Sequence, residues 1–143
     1  MAYRWMLVGD KFAPYGFLPS SLRNQPAVLL VAGAPHVTTS TGGSEDGVED
    51  KGDVTLASDG SATLSLEESY AGRLAIGLRS GLSTLPDSRL KEAVESQILA
   101  EALPGARLDD IQVQHLEDLD APLTLAMKIE VSSFASPTGK SLR

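Results

Sequence analysis

Residues 53–70, DVTLASDGSATLSLEESY, alternate apolar and polar side chains on both sides of an Asp59-Gly60 pair. Period-two alternation with a turn-forming dipeptide at its centre is the signature of a β-hairpin, and it commits the chain to antiparallel sheet. The register follows from matching faces. A two-residue Asp59-Gly60 loop sets Leu56 beside Thr63, an apolar residue against a polar one. A three-residue loop, Ser58-Asp59-Gly60, pairs Leu56 with Ala62 and Val54 with Leu64 on one face. A slip of one residue reverses every side chain. The three-residue loop is therefore expected, with Gly60 left-handed at a bulge.

The same period returns near the C-terminus. Leu123, Leu125, Met127, Ile129 and Val131 alternate with Thr124, Ala126, Lys128 and Glu130, which predicts a long half-buried strand. Ile111, Val113 and His115 predict another, with His115 at the edge of the core. AVLLVA (27–32) is a continuous apolar run, expected as a strand covered on both faces. Between these lie two helical patterns. Leu74, Leu78, Leu82 and Leu85 form one stripe, weakened by Gly77 and Gly81. In residues 87–103, Leu90, Val94 and Ile98 form the buried stripe, with Lys91, Glu92, Glu95 and Glu101 facing water. Pro86 suits the first turn of that helix, and Pro104-Gly105 ends it. The order strand, hairpin, two helices, two strands predicts an α+β fold. Its antiparallel sheet has about five strands, with two helices packed on one face.

The aromatic residues are distributed unevenly. Tyr3, Trp5, Phe12, Tyr15 and Phe17 crowd the first seventeen positions, leaving only Tyr70 and Phe134 for the rest. Prolines at 14, 19 and 26 favour an irregular wrapping segment there. Residues 1–26 are thus expected to be the closing part of an upstream domain, and 27–135 the folded α+β domain. Residues 40–53, Gly-rich and acidic, are expected to be a mobile loop, and 136–143 a flexible tail.

A net charge of −7 argues against nucleic acid and anionic lipid as partners. With no cysteine, the chain lacks thiol nucleophiles, disulfides and cysteine metal sites. No apolar run reaches the roughly 20 residues of a membrane span. The N-terminus has no basic region followed by an apolar run, so any export signal is expected on an upstream part. Thr138-Gly139-Lys140-Ser141 has the end of a phosphate-binding loop, but Phe134 stands where its first glycine belongs. Asp109-Asp110, the cluster Glu117, Asp118 and Asp120, and the acids Glu45, Asp46, Glu49, Asp50 and Asp53 lack calcium-loop spacing and read as solvated. His36 and His115 have no ligand spacing, so no metal or cofactor is expected. Asp10 reads most simply as a turn residue after the strand-like run Trp5–Gly9.

The segment around Asp10, continuing through Tyr15-Gly16-Phe17-Leu18-Pro19, resembles the end of the catalytic core in bacterial transglutaminase-like proteins. The stretches 22–31, 56–82 (with Arg79) and 103–135 look like the domain of unknown function that follows such cores. The resemblance implies an upstream papain-like core using a Cys-His-Asp triad, in which only the acid could fall on this chain, as an orphan at Asp10. It also implies a bacterial cell-envelope or secreted protein. Without cysteine, the chain is expected to be a non-catalytic accessory domain, its partners the upstream catalytic domain and another protein or peptide. The alternative is an independent peptide-binding module using an exposed sheet edge, with residues 123–131 as the candidate strand. A third reading, a small enzyme, requires Asp110, His115 and a serine to meet in one pocket.

Overall fold

The computed structural model describes residues 3–43, 45–135, 137–138 and 141–142, without the side chains of Ile98 and of the last four. In chain order, the strands before the helices are β1 (Pro26–Val28), β2 (His36–Thr38), β3 (Gly47–Leu56) and β4 (Ala62–Ala71). There follow α1 (Gly72–Leu82) and α2 (Asp87–Val94), which continues through a π-helical turn (Glu95–Leu99) into α3 (Ala100–Ala102). The chain ends with β5 (Ala106–Gln114), β6 (Leu123–Val131) and the two-residue strands β7 (Pro137–Thr138) and β8 (Ser141–Leu142). The fold is α+β, built on an antiparallel four-stranded sheet in the order β3-β4-β6-β5.

The hairpin takes the register expected from its faces. Leu56 pairs with Ala62 and Val54 with Leu64. The loop closes through Ala57 N–H to the Ser61 carbonyl at 2.8 Å, and Gly60 is left-handed at φ 88°. The odd-numbered residues of β6 are all buried, and with Leu108, Val94 and Leu99 they make the main core. Each such side chain contributes about 1.5–3 kcal/mol by leaving water. Leu82 of α1 and Leu90 of α2 reach the same cluster, so both helices serve one face of the sheet.

Several expectations are corrected. AVLLVA is not a core strand. Only Pro26–Val28 is extended, paired with β2 in a separate two-stranded ribbon, and Leu30 is 98% exposed in the turn beyond it. An apolar run does not secure a place in the core when its partner strand, HVT, is only three residues long. Four strands, not five, therefore make the main sheet. Residues 47–53 are not a mobile loop: they are the first part of β3 and pair with residues 65–71. Their composition cannot bury anything, but an edge strand is held by backbone hydrogen bonds and needs no burial.

In α1 the buried residues are Ala75, Ile76 and Arg79, while Leu74 and Leu85 are exposed. The reason is a second apolar cluster, in which Phe12 and Phe17 from the N-terminal segment pack on Ile76. In the second helix Leu90 and Val94 are followed on the buried side by Leu99. The extra residue of the π-helical turn moves the stripe by one position. The expectation for Ile98 lies outside the described side chains. His115 is not a core-edge residue. It lies one position past β5, exposed, with φ 60°.

Candidate functional site

The two edges of the sheet differ. The β5 edge is blocked at Leu108 and Asp109. A register irregularity falls between Leu108 and Asp110, and the Leu108 N–H donates to Glu95 Oε1 at 2.9 Å. Lys91 Nζ donates to the Asp109 carbonyl at 2.7 Å. Bulges and covering side chains are how native sheets blunt an edge. Glu95, expected to face water, thus turns inward to the strand.

The β3 edge is open. All ten residues of β3 are exposed, and its pairing with β4 runs without a bulge. Its hydrogen-bond phase is set by the Ala57–Ser61 bond, which makes that pair a closely bonded one. Bonded and non-bonded pairs alternate along an antiparallel ladder. Residues 48, 50, 52, 54 and 56 therefore aim their N–H and C=O groups away from β4. Their side chains continue the apolar face of the sheet, which the helices cover chiefly over β5 and β6. Val48, Val54 and Leu56 are left 49%, 54% and 43% exposed.

The opposite face is polar. Lys51, Asp53, Glu67, Asp110, Gln112 and Lys128 line a depression of about 400 Å³. Lys128 stands between Ser65 and Asp110 across the strands, and Lys51 opposite Glu67. With each lysine set among acids, the face offers neither a cationic nor an anionic centre.

Beside the sheet, Arg79 is only 2% exposed and holds the β5–β6 connection. Its Nη2 donates to the carbonyls of His115, Asp118 and Ala121 at 3.0, 2.8 and 2.7 Å, and its Nε lies 3.3 Å from the His115 carbonyl. Burial lowers the pKa of this guanidinium, and the nearby Asp118 charge partly offsets the shift. Tyr70 donates to Glu68 at 2.5 Å. Burial raises its pKa, as do the bond to Glu68 and the charges of Glu68 and Asp50.

The candidate residues from sequence are scattered. Asp10 accepts the Phe12 N–H at 3.0 Å, an ordinary turn contact. Asp110 lies in the polar depression. His115 sits past the strand end, its Nδ1 3.1 Å from the Pro122 carbonyl, so that nitrogen carries the proton and donates. His115 does not line the depression that holds Asp110. His36 is exposed on β2 opposite Val28. Of the loop acids, Asp46 acts locally, accepting the Arg73 N–H at 2.6 Å and so capping α1. Lys51 and Glu49 form an exposed ion pair at 3.1 Å. Thr138-Gly139-Lys140-Ser141 lies outside the described side chains. Among the described residues no group of three or more His, Cys, Asp or Glu could hold a metal, and no helix is long and apolar enough to cross a membrane.

Residues 123–131 are not an edge. β6 is flanked by β4 and β5. The open edge was missed in the sequence because its acids and glycines resemble a loop; the alternation of residues 53–56 was the only signal that a strand ran there. No family model, curated protein or solved structure matches this chain.

Proposed function

We propose that this chain is a non-catalytic accessory domain that joins other protein through the β3 edge. The observation that carries the reading is a ten-residue edge strand in which every residue is exposed, at the opposite side of the sheet from an edge that Glu95 and Lys91 block. Backbone groups along such an edge supply affinity for an extended segment, and alternate side chains supply selectivity. Exposed Tyr3, Met6, Val8 and Tyr15 in the N-terminal segment support a second contact, with the upstream transglutaminase-like core that the sequence resembles. Asp10 is assigned no chemistry.

The test is titration of the full chain with a library of strand-forming peptides, followed by NMR at the β3 amides. Saturable shifts at residues 48–56 are expected, and they should be lost in Val54→Pro. Proline there removes an outward N–H and leaves the bonds to β4 intact. Binding that leaves β3 unshifted, or no binding at millimolar peptide by a chain that stays monomeric, would overturn the reading. Transamidation or peptide cleavage by this chain alone would overturn its non-catalytic part.

A further inference from the structure

We infer that the occupant of the β3 edge is β3 of a second copy of this chain, paired antiparallel about a two-fold axis through Gly52. The inference rests on the edge reading above and adds the partner and its register. Outward backbone groups belong to the even-numbered residues, so only registers that set even against even can form the ladder. Among these, charge decides.

A two-fold at Lys51 sets two lysines opposite each other and Glu49 against Asp53. One at Asp50 or Asp53 sets an aspartate against itself. With the axis at Gly52, Lys51 of each copy faces Asp53 of the other, Glu49 faces Thr55, and Val48 faces Leu56. Opposite charges across a strand pair stabilise it and like charges oppose it. A lysine on an edge strand ordinarily discourages pairing. Here an axis at Asp50 would also answer it, with Glu49, but only by setting Asp50 against itself. The Gly52 axis alone answers it with no like-charge pair, which makes the edge selective.

Gly52 fits that centre. It lies mid-strand in an unbroken ladder, where glycine commonly marks the close approach of another backbone. The half-exposed Val48, Val54 and Leu56 of both copies would then share one face of a continuous sheet of eight strands, four from each copy, with Val48 against Leu56 towards either end and Asp50 against Val54 beside the axis.

Sedimentation of the full chain over a concentration series tests this. The wild type should show a monomer–dimer equilibrium. Lys51→Asp and Asp53→Lys each replace two attractive pairs by two repulsive ones, and each should weaken dimerisation roughly tenfold or more. Mixing the two variants restores both attractive pairs, so the mixture should form a heterodimer. Because the chain has no cysteine, a covalent check is also clean. Glu49→Cys and Thr55→Cys chains should cross-link to each other under oxidation, and neither to itself. A dimer indifferent to both charge variants, or a mixture that stays monomeric, overturns the register and with it the inference. A wild type that is monomeric at every concentration yet captures foreign peptides on β3 overturns the self-pairing and leaves the edge reading standing. Loss of both overturns both.

Discussion

Replacing Arg79 by alanine should be among the most damaging single changes to this domain. The side chain is almost fully buried on α1 and reaches three backbone carbonyls of the β5–β6 connection. Nη2 has only two protons for those three acceptors, so two contacts share one proton, and Nε supplies a weaker fourth contact at 3.3 Å. That amounts to about three charge-assisted bonds, each worth roughly 1.5–3 kcal/mol. Most of the connection is exposed, so water would re-solvate part of what the mutation frees. A net loss of about 3–5 kcal/mol is expected, a large share of the ~5–15 kcal/mol available to a domain. Arg79→Lys should cost less, about 1–2 kcal/mol, because one ammonium has no planar fork to span the three acceptors. Urea unfolding gives the stability difference, and hydrogen exchange at residues 115–122 shows whether the connection loosens. A loss below about 1 kcal/mol with unchanged exchange in that segment would refute the clamp.

Gly72 is left-handed at φ 64°, and a Cβ there would lie 2.8 Å from the Glu45 carbonyl oxygen, so Gly72→Ala should cost about 1–3 kcal/mol in thermal unfolding. Asp46→Ala, which removes the cap on α1 and an exposed ion pair with Arg73 but strains no backbone, should cost about 1 kcal/mol and less than Gly72→Ala; a larger loss from Asp46→Ala would contradict this separation. Asp59 accepts from the Ser61 hydroxyl at 2.6 Å and the Ser61 N–H at 2.9 Å, which hold its carboxyl below the usual range. Because the folded pKa is depressed, its contribution to stability is present above the unfolded pKa and fades as pH falls through the folded one. Ser61→Ala should raise the Asp59 pKa toward the ordinary value, seen in carboxyl-carbon NMR, and an unmoved titration would refute the assignment. Ile129→Ala, at the centre of the core, should cost ~2–5 kcal/mol, whereas Leu30→Ser should stay within ~0.5 kcal/mol; comparable melting shifts would mean the core has been misplaced.

The fold was legible where a short-range rule was strong enough to stand alone. The alternation about Asp59-Gly60 specified the hairpin down to its loop length, because only one register keeps apolar residues on one face. The odd-numbered residues of β6 announced a buried strand for the same reason. The end of the second helix at Pro104-Gly105 was likewise readable, since Gly105 takes φ 82°. The leucine stripe of α1 failed because a second cluster buries Ile76 instead, and inferences from composition failed as well. Ala27–Ala32 looked buried and residues 47–53 looked mobile. Both errors come from treating hydrophobicity as the only force that orders a chain.

Short-range pattern alone was thus enough for the antiparallel α+β class, the hairpin register and the identity of the central core strand, since period and turn chemistry act within a few residues. Which strand lies at an edge, and which edge is open, emerged from long-range packing. So did the burial of Arg79 as a clamp. These are questions of what a residue meets across the fold. Lys91 and Glu95 block β5 only because α2 packs beside it, and Arg79 is buried only because residues 115–122 fold back over α1. No local pattern carries that information, and the β3 edge, composed like a loop, came to light only when its partner strand did.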